Sequence, residues 1–343
     1  MREARSPPLA DPAQLQKEVG AGSHRAPDLG ADVARELFAA MLDATVPSSE
    51  LGAILVAYRV KGETVAELSG FMAALGARVA RLELPADRPR PVLLPTYSGA
   101  RCLPNLTALL ALLLKRYGVP VLLHGTVGEG SDFGRVATAA VLGELGIDPA
   151  TSIAEAQQRI AREGIVYAPI ALLAPELAAL LALRRTTGSR STAHTLAKLI
   201  DPFAGNAFRV VSVSDPDKRG RMRDFLTATR ANALLLRGTE GEPFANPRRQ
   251  PRLEWFEDGV GTMLFDADTE VLANVPVLPA TVDAAATAAW IAAALAGEVA
   301  IPLPILNQLA CCLHGVHQAG SARARPRART TPASPAGAPP RRR

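Results

Sequence analysis

Apolar residues along the chain alternate between short runs typical of strands and longer periodic segments typical of helices. An apolar run at 92–94 is followed by a loop and a helical pattern at 106–117. A second run at 119–123, a loop at 124–133 and a helical pattern at 136–145 repeat this order. The succession predicts a βαβα unit with two parallel strands. The loops that follow such strands are the places where α/β folds bind ligands.

The chain before this unit is helical, and the chain after it mixes both patterns. Periodic apolar positions predict three helices between 31 and 80, and three prolines between 83 and 91 mark a linker. Downstream, we predict helices at 153–163, 172–188, 191–199, 216–230, 281–295 and 303–313, strands at 165–169, 210–213 and 234–236, and β structure over 253–279.

These elements predict an α/β protein with several parts. We expect an N-terminal extension at 1–30, a helical domain at 31–84, an α/β domain at 88–318 and a tail at 319–343. The tail contains seven arginines, many prolines and no acidic residue, and it has no apolar periodicity. Such a composition cannot form a core, which predicts disorder.

The position of charge matters more than its sum. The formal net charge is +5, yet the chain before residue 320 carries 31 basic and 33 acidic residues. The segment 184–230 contains ten basic and four acidic residues. Clusters of this kind bind phosphate backbones through charge and counterion release, and the alternative is a solvated helix face.

Other features exclude several classes of protein. No apolar run is long enough to span a bilayer, and the first residues lack the apolar core of a secretory signal, so we expect a cytoplasmic protein. Cys102, Cys311 and Cys312 lack the spacing of a zinc site and are expected to be reduced thiols. No Ser-His-Asp order, phosphate-binding P-loop motif or sequence-reading nucleic-acid motif is present. We therefore assign no catalytic residue.

Two loops carry a family resemblance. The stretches PTYSGARCLPNLTAL and LLHGTVGEG resemble the phosphate loop and the following histidine loop of the anthranilate phosphoribosyltransferase family (TrpD-like, glycosyltransferase family 3). AHTLAKL, GTEGEPFANP and ACCLH extend the likeness from about 32 to 314. The closer match is the YbiB-like branch of that family, which is described as nucleic-acid binding. The residues that match or replace the substrate loops are Tyr97, Ser98, Gly99, Asn105, Thr107, His124 and Gly125.

The resemblance implies the fold. It implies a nucleoside phosphorylase/phosphoribosyltransferase-like structure, with a small helical domain and a large α/β domain around a mostly parallel central sheet. It also implies that residues 171–200 return to complete the helical domain. The related transferases pair through their helical domains, so we expect a homodimer.

The departures from the family bear on activity. Gly99 alone remains of the glycine cluster that lets backbone approach pyrophosphate closely, and Tyr97 and Ser98 bring side chains there. Glu240 and Glu242 follow a strand where the transferases carry a metal motif, so they are weak candidates for magnesium. Their alternative interpretation is as ordinary loop carboxylates that pair with Arg237 or Arg248.

We therefore expect a DNA- or other nucleic-acid-binding protein that has little sequence preference, no cofactor and no phosphoribosyltransferase activity. The alternative is a phosphoribosyltransferase that uses a phosphoribosyl diphosphate-like substrate and magnesium. Lys198 aligns with the substrate side of the transferases, and its presence there suggests an open charged groove. The predicted nucleic-acid-binding residues are Arg101, Lys115, Arg116, Arg184, Arg185, Arg190, Lys198 and Arg209. His124 and His194 are expected to be structural histidines.

Overall fold

A seven-stranded sheet lies at the centre of the protein, for which a computed structural model describes residues 28–128 and 134–323. The spatial order is β3-β2-β1-β4-β5-β6-β7. The first five strands in this order are parallel, and β6 and β7 add an antiparallel edge. The strands are β1 (Val92–Thr96), β2 (Val121–Gly125), β3 (Ile165–Pro169), β4 (Phe208–Ser212), β5 (Ala233–Leu236), β6 (Leu253–Glu257) and β7 (Val260–Phe265).

Strands β1 and β2 are buried along their whole length because both faces of the sheet are covered. Alternate side chains enter two different cores. Leu93 and Leu122 pack into the core beneath the helical layer, whereas Leu94 and Leu123 pack into the core on the opposite face. This alternation is the period-2 geometry of a strand, and it explains why the sequence shows continuous apolar runs.

The N-terminal helices form the layer over one face of the sheet. They are α1 (Ala31–Leu42), α2 (Ser48–Lys61) and α3 (Val65–Gly76). The third begins with a capping box, in which the Thr64 hydroxyl accepts from Glu67 N and the Glu67 carboxylate accepts from Thr64 N. Glu67 is fully buried, and its carboxylate also accepts from Leu29 N, Tyr58 Oη and Lys61 Nζ.

The remaining helices connect the strands or cover the second face. They are α4 (Thr107–Arg116), α5 (Thr138–Glu144), α6 (Ile153–Glu163), α7 (Ile170–Leu173), α8 (Pro175–Ala182), α9 (Arg184–Thr187), α10 (Thr192–Ala197), α11 (Pro216–Ala228), α12 (Ala284–Ala296) and α13 (Leu303–Arg323). Residues 170–200 lie against the N-terminal helices. Ala80 N donates to Leu173 O, and Thr192 Oγ1 donates to Glu63 Oε1 at 2.6 Å.

The structure confirms the predicted fold class, a small helical domain with a mostly parallel α/β sheet, and it corrects three element predictions. The single helix predicted at 172–188 is divided into α7, α8 and α9. Pro175 cannot donate a backbone hydrogen bond and disfavours helical geometry at Ala174, which takes φ −155° and ψ 80°.

The other two corrections concern 253–279 and the C-terminal helix. Regular β structure ends at Phe265, and the residues between Phe265 and α12 form no strand. The last helix continues to Arg323, beyond the predicted end at 313 and into the predicted tail. Residues 324–343 of that tail, and most of the predicted N-terminal extension, lie outside the described residues. None of the described helices is both long enough and apolar enough to cross a membrane.

Candidate functional site

The loops after β1, β2, β4 and β5 meet at the carboxyl edge of the sheet. The loop after β1 is tied to the segment before α5 by two backbone hydrogen bonds between Ala100 and Val136. The Asn105 amide reinforces this link, because its Nδ2 donates to Val136 O at 3.1 Å and to Thr138 Oγ1 at 3.0 Å. Asn105 and Thr107 are fully buried, and Asn105 Oδ1 accepts from Thr107 N at 3.3 Å, so Asn105 holds the loop in place from inside.

Tyr97 and His124 form a buried pair beneath the loop. Tyr97 Oη lies 2.8 Å from His124 Nδ1, and burial lowers the pKa of His124 to about 3. His124 Nε2 is buried and has no hydrogen-bond partner among the described residues. Tyr97 thus turns its ring toward His124. The sequence had suggested that this side chain enters the space above the loop, and in the structure it does not.

Glu242 inserts its carboxylate into this loop. It is fully buried, and Oε1 accepts from Ser98 N at 2.7 Å and from Gly99 N at 2.8 Å. The second oxygen accepts from Thr138 Oγ1 at 2.8 Å. These distances are typical of charge-assisted hydrogen bonds to a carboxylate.

The Glu240 carboxylate binds the next residues of the same loop. Its Oε1 accepts from Cys102 N at 2.8 Å and from Leu103 N at 3.0 Å, and its Oε2 accepts from Arg101 N at 2.9 Å. The Arg135 guanidinium lies 3.7 Å from this carboxylate. We call the backbone N–H groups of Ser98, Gly99, Arg101, Cys102 and Leu103 the cradle.

The segment that carries both glutamates is held close to the loop. Gly241 has φ +93°, and a Cβ atom there would lie 2.5 Å from Ser98 Oγ. Its carbonyl accepts from Ser212 Oγ at 2.8 Å and from Lys198 Nζ at 3.1 Å. Only glycine combines this backbone conformation with such a close approach.

The two carboxylates do not fit a magnesium site in this arrangement. Magnesium is bound by oxygen lone pairs that converge on the cation in near-octahedral geometry. The oxygens of Glu240 and Glu242 instead face N–H and O–H hydrogens on the loop and on Thr138. In the part of the chain that the structure describes, no group of three or more His, Cys, Asp or Glu residues could hold a metal ion.

Arg190 and Lys198 are half-buried and line a cavity between the helical layer and β4, where the sequence predicted an open groove for Lys198. Lys198 Nζ donates to Ser212 O at 3.0 Å and to Ser212 Oγ at 3.1 Å, besides its bond to Gly241. Burial lowers its pKa to about 8. Arg190 Nη2 donates to Tyr97 O at 3.0 Å and to Ser98 Oγ at 2.8 Å. These cations therefore position the loop segments around the cradle.

The other predicted basic residues are dispersed. Arg209 lies in β4 and donates to Leu199 O, and burial lowers its pKa. Lys115 and Arg116 end α4, at the opposite edge of the sheet from the cradle, and Arg116 Nη1 donates to Leu295 O. Arg184 and Arg185 lie on α9, and Arg101 is exposed beside the cradle.

His194 takes a structural role at the start of α10. Its Nδ1 accepts from Ser191 N at 3.2 Å as part of a capping box, and burial lowers its pKa to about 3. Gly125 ends β2, where a Cβ atom would lie 2.0 Å from Thr96 O, so glycine is required by strand packing.

A cavity of about 220 Å³ lies between the helical layer and the carboxyl end of β4. Glu63 and Leu68 line it from the helical side, and Lys218 and Arg221 line it from α11. Arg221 Nη1 reaches Lys61 O at 3.5 Å, which is at the limit of a hydrogen bond. The cavity thus contains both signs of charge near its mouth.

A larger cleft of about 570 Å³ lies beside the cradle, beyond the carboxyl end of β5. Four arginine side chains line it and make no ion pair with a carboxylate among the described residues; they are Arg219, Arg237, Arg248 and Arg249. A fifth, Arg252, pairs with Asp266 at 2.9 Å. We call this feature the arginine cleft. The segment that carries both glutamates contributes Gly238, Thr239 and Glu240 to the wall of the cleft.

The sequence pattern does not group these arginines into one site. Arg219 belongs to the basic segment 184–230, and Arg237 and Arg248 were predicted only as partners of the glutamates. Neither arginine forms that pair in the described structure, since Glu240 and Glu242 are satisfied by backbone donors. The available signal was the pair Arg248-Arg249 in a loop after a predicted strand.

Comparisons with known proteins agree with this architecture. Residues 15–78 match the family model for the helical bundle domain of a glycosyl transferase family. The chain is 41% identical over 313 residues to the uncharacterised protein YbiB of Escherichia coli K12, covering 91% of this chain and 96% of YbiB. It is 31% identical over 253 residues to an anthranilate phosphoribosyltransferase of Halobacterium salinarum, covering 73% of each chain.

Solved structures show the same fold. The anthranilate phosphoribosyltransferase TrpD of Thermus thermophilus superposes with a TM-score of 0.64 at 21% identity, covering 86% of this chain and 87% of that one. The Saccharomyces cerevisiae enzyme in complex with PRPP and Mg superposes with a TM-score of 0.65 at 12% identity, covering 92% and 96%. With its helical layer, its mostly parallel sheet and these relatives, the chain belongs to the anthranilate phosphoribosyltransferase-like (TrpD-like) glycosyl transferase family.

Proposed function

We propose that this protein binds nucleic acid, with DNA as the principal ligand, and does not transfer phosphoribosyl groups. One observation supports binding above the others. The arginine cleft presents four guanidinium groups that form no ion pair with a carboxylate among the described residues, in a lining that also contains Glu240 and Asp268. Guanidinium groups bind phosphate oxygens with two parallel hydrogen bonds, and each neutralised phosphate releases condensed counterions.

The proposed interface lies on the arginine cleft and not on three more buried cations. Arg190, Lys198 and Arg209 bind backbone and side-chain oxygens of the protein itself, so they support the loops next to the cleft, and Arg190 and Lys198 also line the smaller cavity. Arg101 is exposed and adjoins Cys102, which lines the cleft, so it extends the same basic surface. Phosphate contacts position a nucleic acid but do not read its bases, and we therefore expect little sequence preference.

Kinship favours a second candidate function, phosphoribosyl transfer with magnesium, since one relative at 31% identity is an anthranilate phosphoribosyltransferase. The site geometry argues against it. The N–H groups that could bind pyrophosphate already bind Glu240 and Glu242, and these carboxylates do not face a cation site. A fold alone does not determine activity.

We also propose a homodimer in the cytoplasm. The outer side of α2 carries Gly52, Val56 and Val60 at helical spacing, and the two valines are 50% and 57% exposed. An apolar stripe of this kind suits a second copy of the same helix across a two-fold axis. Sedimentation of the wild type and of Val56→Asp tests this, because the charged variant should shift to the monomer mass. A wild type that sediments as a monomer at micromolar concentration would contradict the dimer.

Fluorescence anisotropy with labelled single- and double-stranded DNA of about 20 nucleotides tests the interface. The test variant replaces Arg219, Arg237, Arg248 and Arg249 with alanine, and the matched control replaces Arg35, Arg81, Arg88 and Arg162, which are exposed elsewhere. Both sets are made in full-length protein and in protein lacking 320–343, since the basic tail is a rival binding segment. We expect clear binding without the tail, loss in the cleft variant and retention in the control.

Two outcomes would overturn the proposal. Tail-less protein that fails to bind at low salt would assign all binding to the tail. Equal losses in the cleft and control variants would reduce the cleft to general surface charge. A turnover assay with anthranilate, phosphoribosyl diphosphate and magnesium is run in parallel, and magnesium-dependent turnover that Glu240→Ala abolishes would favour the transferase.

A further inference from the structure

The cradle has the chemistry of an anion site. Five backbone N–H groups from one loop converge on two carboxylates, with donor–acceptor distances between 2.7 and 3.0 Å. Successive N–H groups in a turn form a concave nest that binds phosphate in many proteins. Two cationic side chains adjoin it, since Arg190 bonds to Ser98 Oγ and Arg135 lies beside Glu240.

The anions in this nest belong to the chain. Glu240 and Glu242 reach the loop from a segment about 140 residues later in sequence. Each of their oxygens accepts from one or two donors at hydrogen-bond distance, which is the pattern that phosphate oxygens need. No donor of the cradle therefore remains for a second anion while the segment stays in place.

The backbone of the segment that carries the two glutamates adopts an unfavourable conformation. Glu240 has φ +53°, a left-handed conformation that non-glycine residues rarely adopt. Such outliers are energetically unfavourable and persist where surrounding contacts determine them. Here the determining contacts are the three N–H bonds to the Glu240 carboxylate and the close seating of Gly241 against Ser98.

We propose that residues 238–243 are an internal ligand that closes the cradle, with the Glu240 and Glu242 carboxylates in place of phosphate oxygens. The segment thereby prevents the loop from binding phosphate or pyrophosphate. It also explains why two acidic residues stand where a related enzyme would need cation ligands. This closure is independent of nucleic-acid binding in the arginine cleft, so either proposal can fail without the other.

The test uses inorganic pyrophosphate without magnesium as the probe. Full-length wild type and Glu240→Ala/Glu242→Ala are compared by calorimetric titration and by thermal unfolding. We expect a lower Tm in the double variant, because its N–H groups lose their acceptors. Pyrophosphate at about ten times its Kd should then raise the variant's Tm by about 2–5 °C more than that of the wild type.

Matched variants separate closure from general effects. Glu67→Ala also removes a buried carboxylate that accepts backbone N–H groups, but in the helical layer, so pyrophosphate should not restore its Tm. Glu242→Gln keeps a carbonyl oxygen for Ser98 N and Gly99 N and should gain less binding than the alanine variant. If the double variant does not fold, Glu240→Ala alone serves, because its side chain is 17% exposed.

The outcomes are distinct. Pyrophosphate binding that appears only when the cradle carboxylates are removed supports the internal ligand. Equal pyrophosphate affinity in the wild type and the folded variants would show that the segment does not close the cradle. A folded Glu240→Ala or double variant that gains no binding would equally overturn the proposal, since the free N–H groups would then form no anion site.

Discussion

The cradle and the arginine cleft lie side by side, share Glu240 in their walls, and treat anions in opposite ways. In the cradle, backbone donors bind the protein's own carboxylates, in a buried setting at Glu242 and a more exposed one at Glu240. In the cleft, four exposed or half-buried arginines form no ion pair with a carboxylate among the described residues, and Arg252 pairs with Asp266. The contrast follows from solvation. A buried N–H group without an acceptor costs about 1–3 kcal/mol, whereas a guanidinium that reaches solvent is satisfied by water.

Under the two proposals, this difference is a way for a member of the family to change its function while it keeps the fold. Carboxylates that fill the nest would remove a pyrophosphate site and leave the neighbouring exposed charge available for a larger anion. The cradle would then contribute stability, and the cleft would contribute recognition. The following predictions test that division.

The largest expected effect is on stability and falls on the cradle. Glu242→Ala leaves two N–H groups and one hydroxyl without their acceptor, which should lower the free energy of unfolding by about 3 kcal/mol or more. Arg248→Ala, in the cleft, should change it by less than about 0.5 kcal/mol. Urea unfolding followed by circular dichroism measures both. Similar losses in the two variants would end the distinction between the regions.

The next effect is on binding and falls on the cleft. Replacing Arg219, Arg237, Arg248 and Arg249 with alanine should lower the magnitude of the salt slope, d log K/d log[salt], by about 3.6 for duplex DNA, and affinity at about 0.1 M salt by about 100-fold. Anisotropy titrations between about 0.05 and 0.3 M salt measure the slope in tail-less protein. An unchanged slope would mean that these guanidinium groups contact no phosphate.

A smaller effect concerns pH and the pair beneath the cradle. Burial lowers the pKa of His124 to about 3, so the unfolded state binds more protons than the folded state between that pH and about 6.5. Stability should therefore fall as the pH decreases through this window. The wild type should lose about 2 kcal/mol more than His124→Gln between about pH 7 and pH 5. Urea titrations at both pH values test this, and parallel losses would show that the imidazole is not responsible.

The smallest effect is expected far from both regions. Lys115 and Arg116 lie at the opposite edge of the sheet. The double variant Lys115→Ala/Arg116→Ala should therefore change DNA affinity less than about two-fold and change the salt slope by well under about 1. The same anisotropy assay measures both quantities. A loss as large as that of the cleft variant would place the interface on a different surface.

The sequence by itself determined the fold because its signals are local. Short apolar runs and helical apolar patterns identified the strands and helices from 92 to 145, and the matches at Ile153–Glu163 and Ile165–Pro169 agree with the structure to the residue. Residues with short-range roles were also accessible. Asn105 lies in the loop after β1 and Gly125 ends β2, and each stabilises its own loop or strand end.

Only the tertiary structure decided which charges are available to a ligand. Lys198 and Arg209 read as basic in sequence, yet their side chains bind protein oxygens inside the fold. Glu242 reads as a loop carboxylate, yet it accepts from Ser98, 144 positions earlier. A charge becomes a binding group or an internal contact according to the donors, acceptors and solvent around it, and these come from distant segments that only folding brings together.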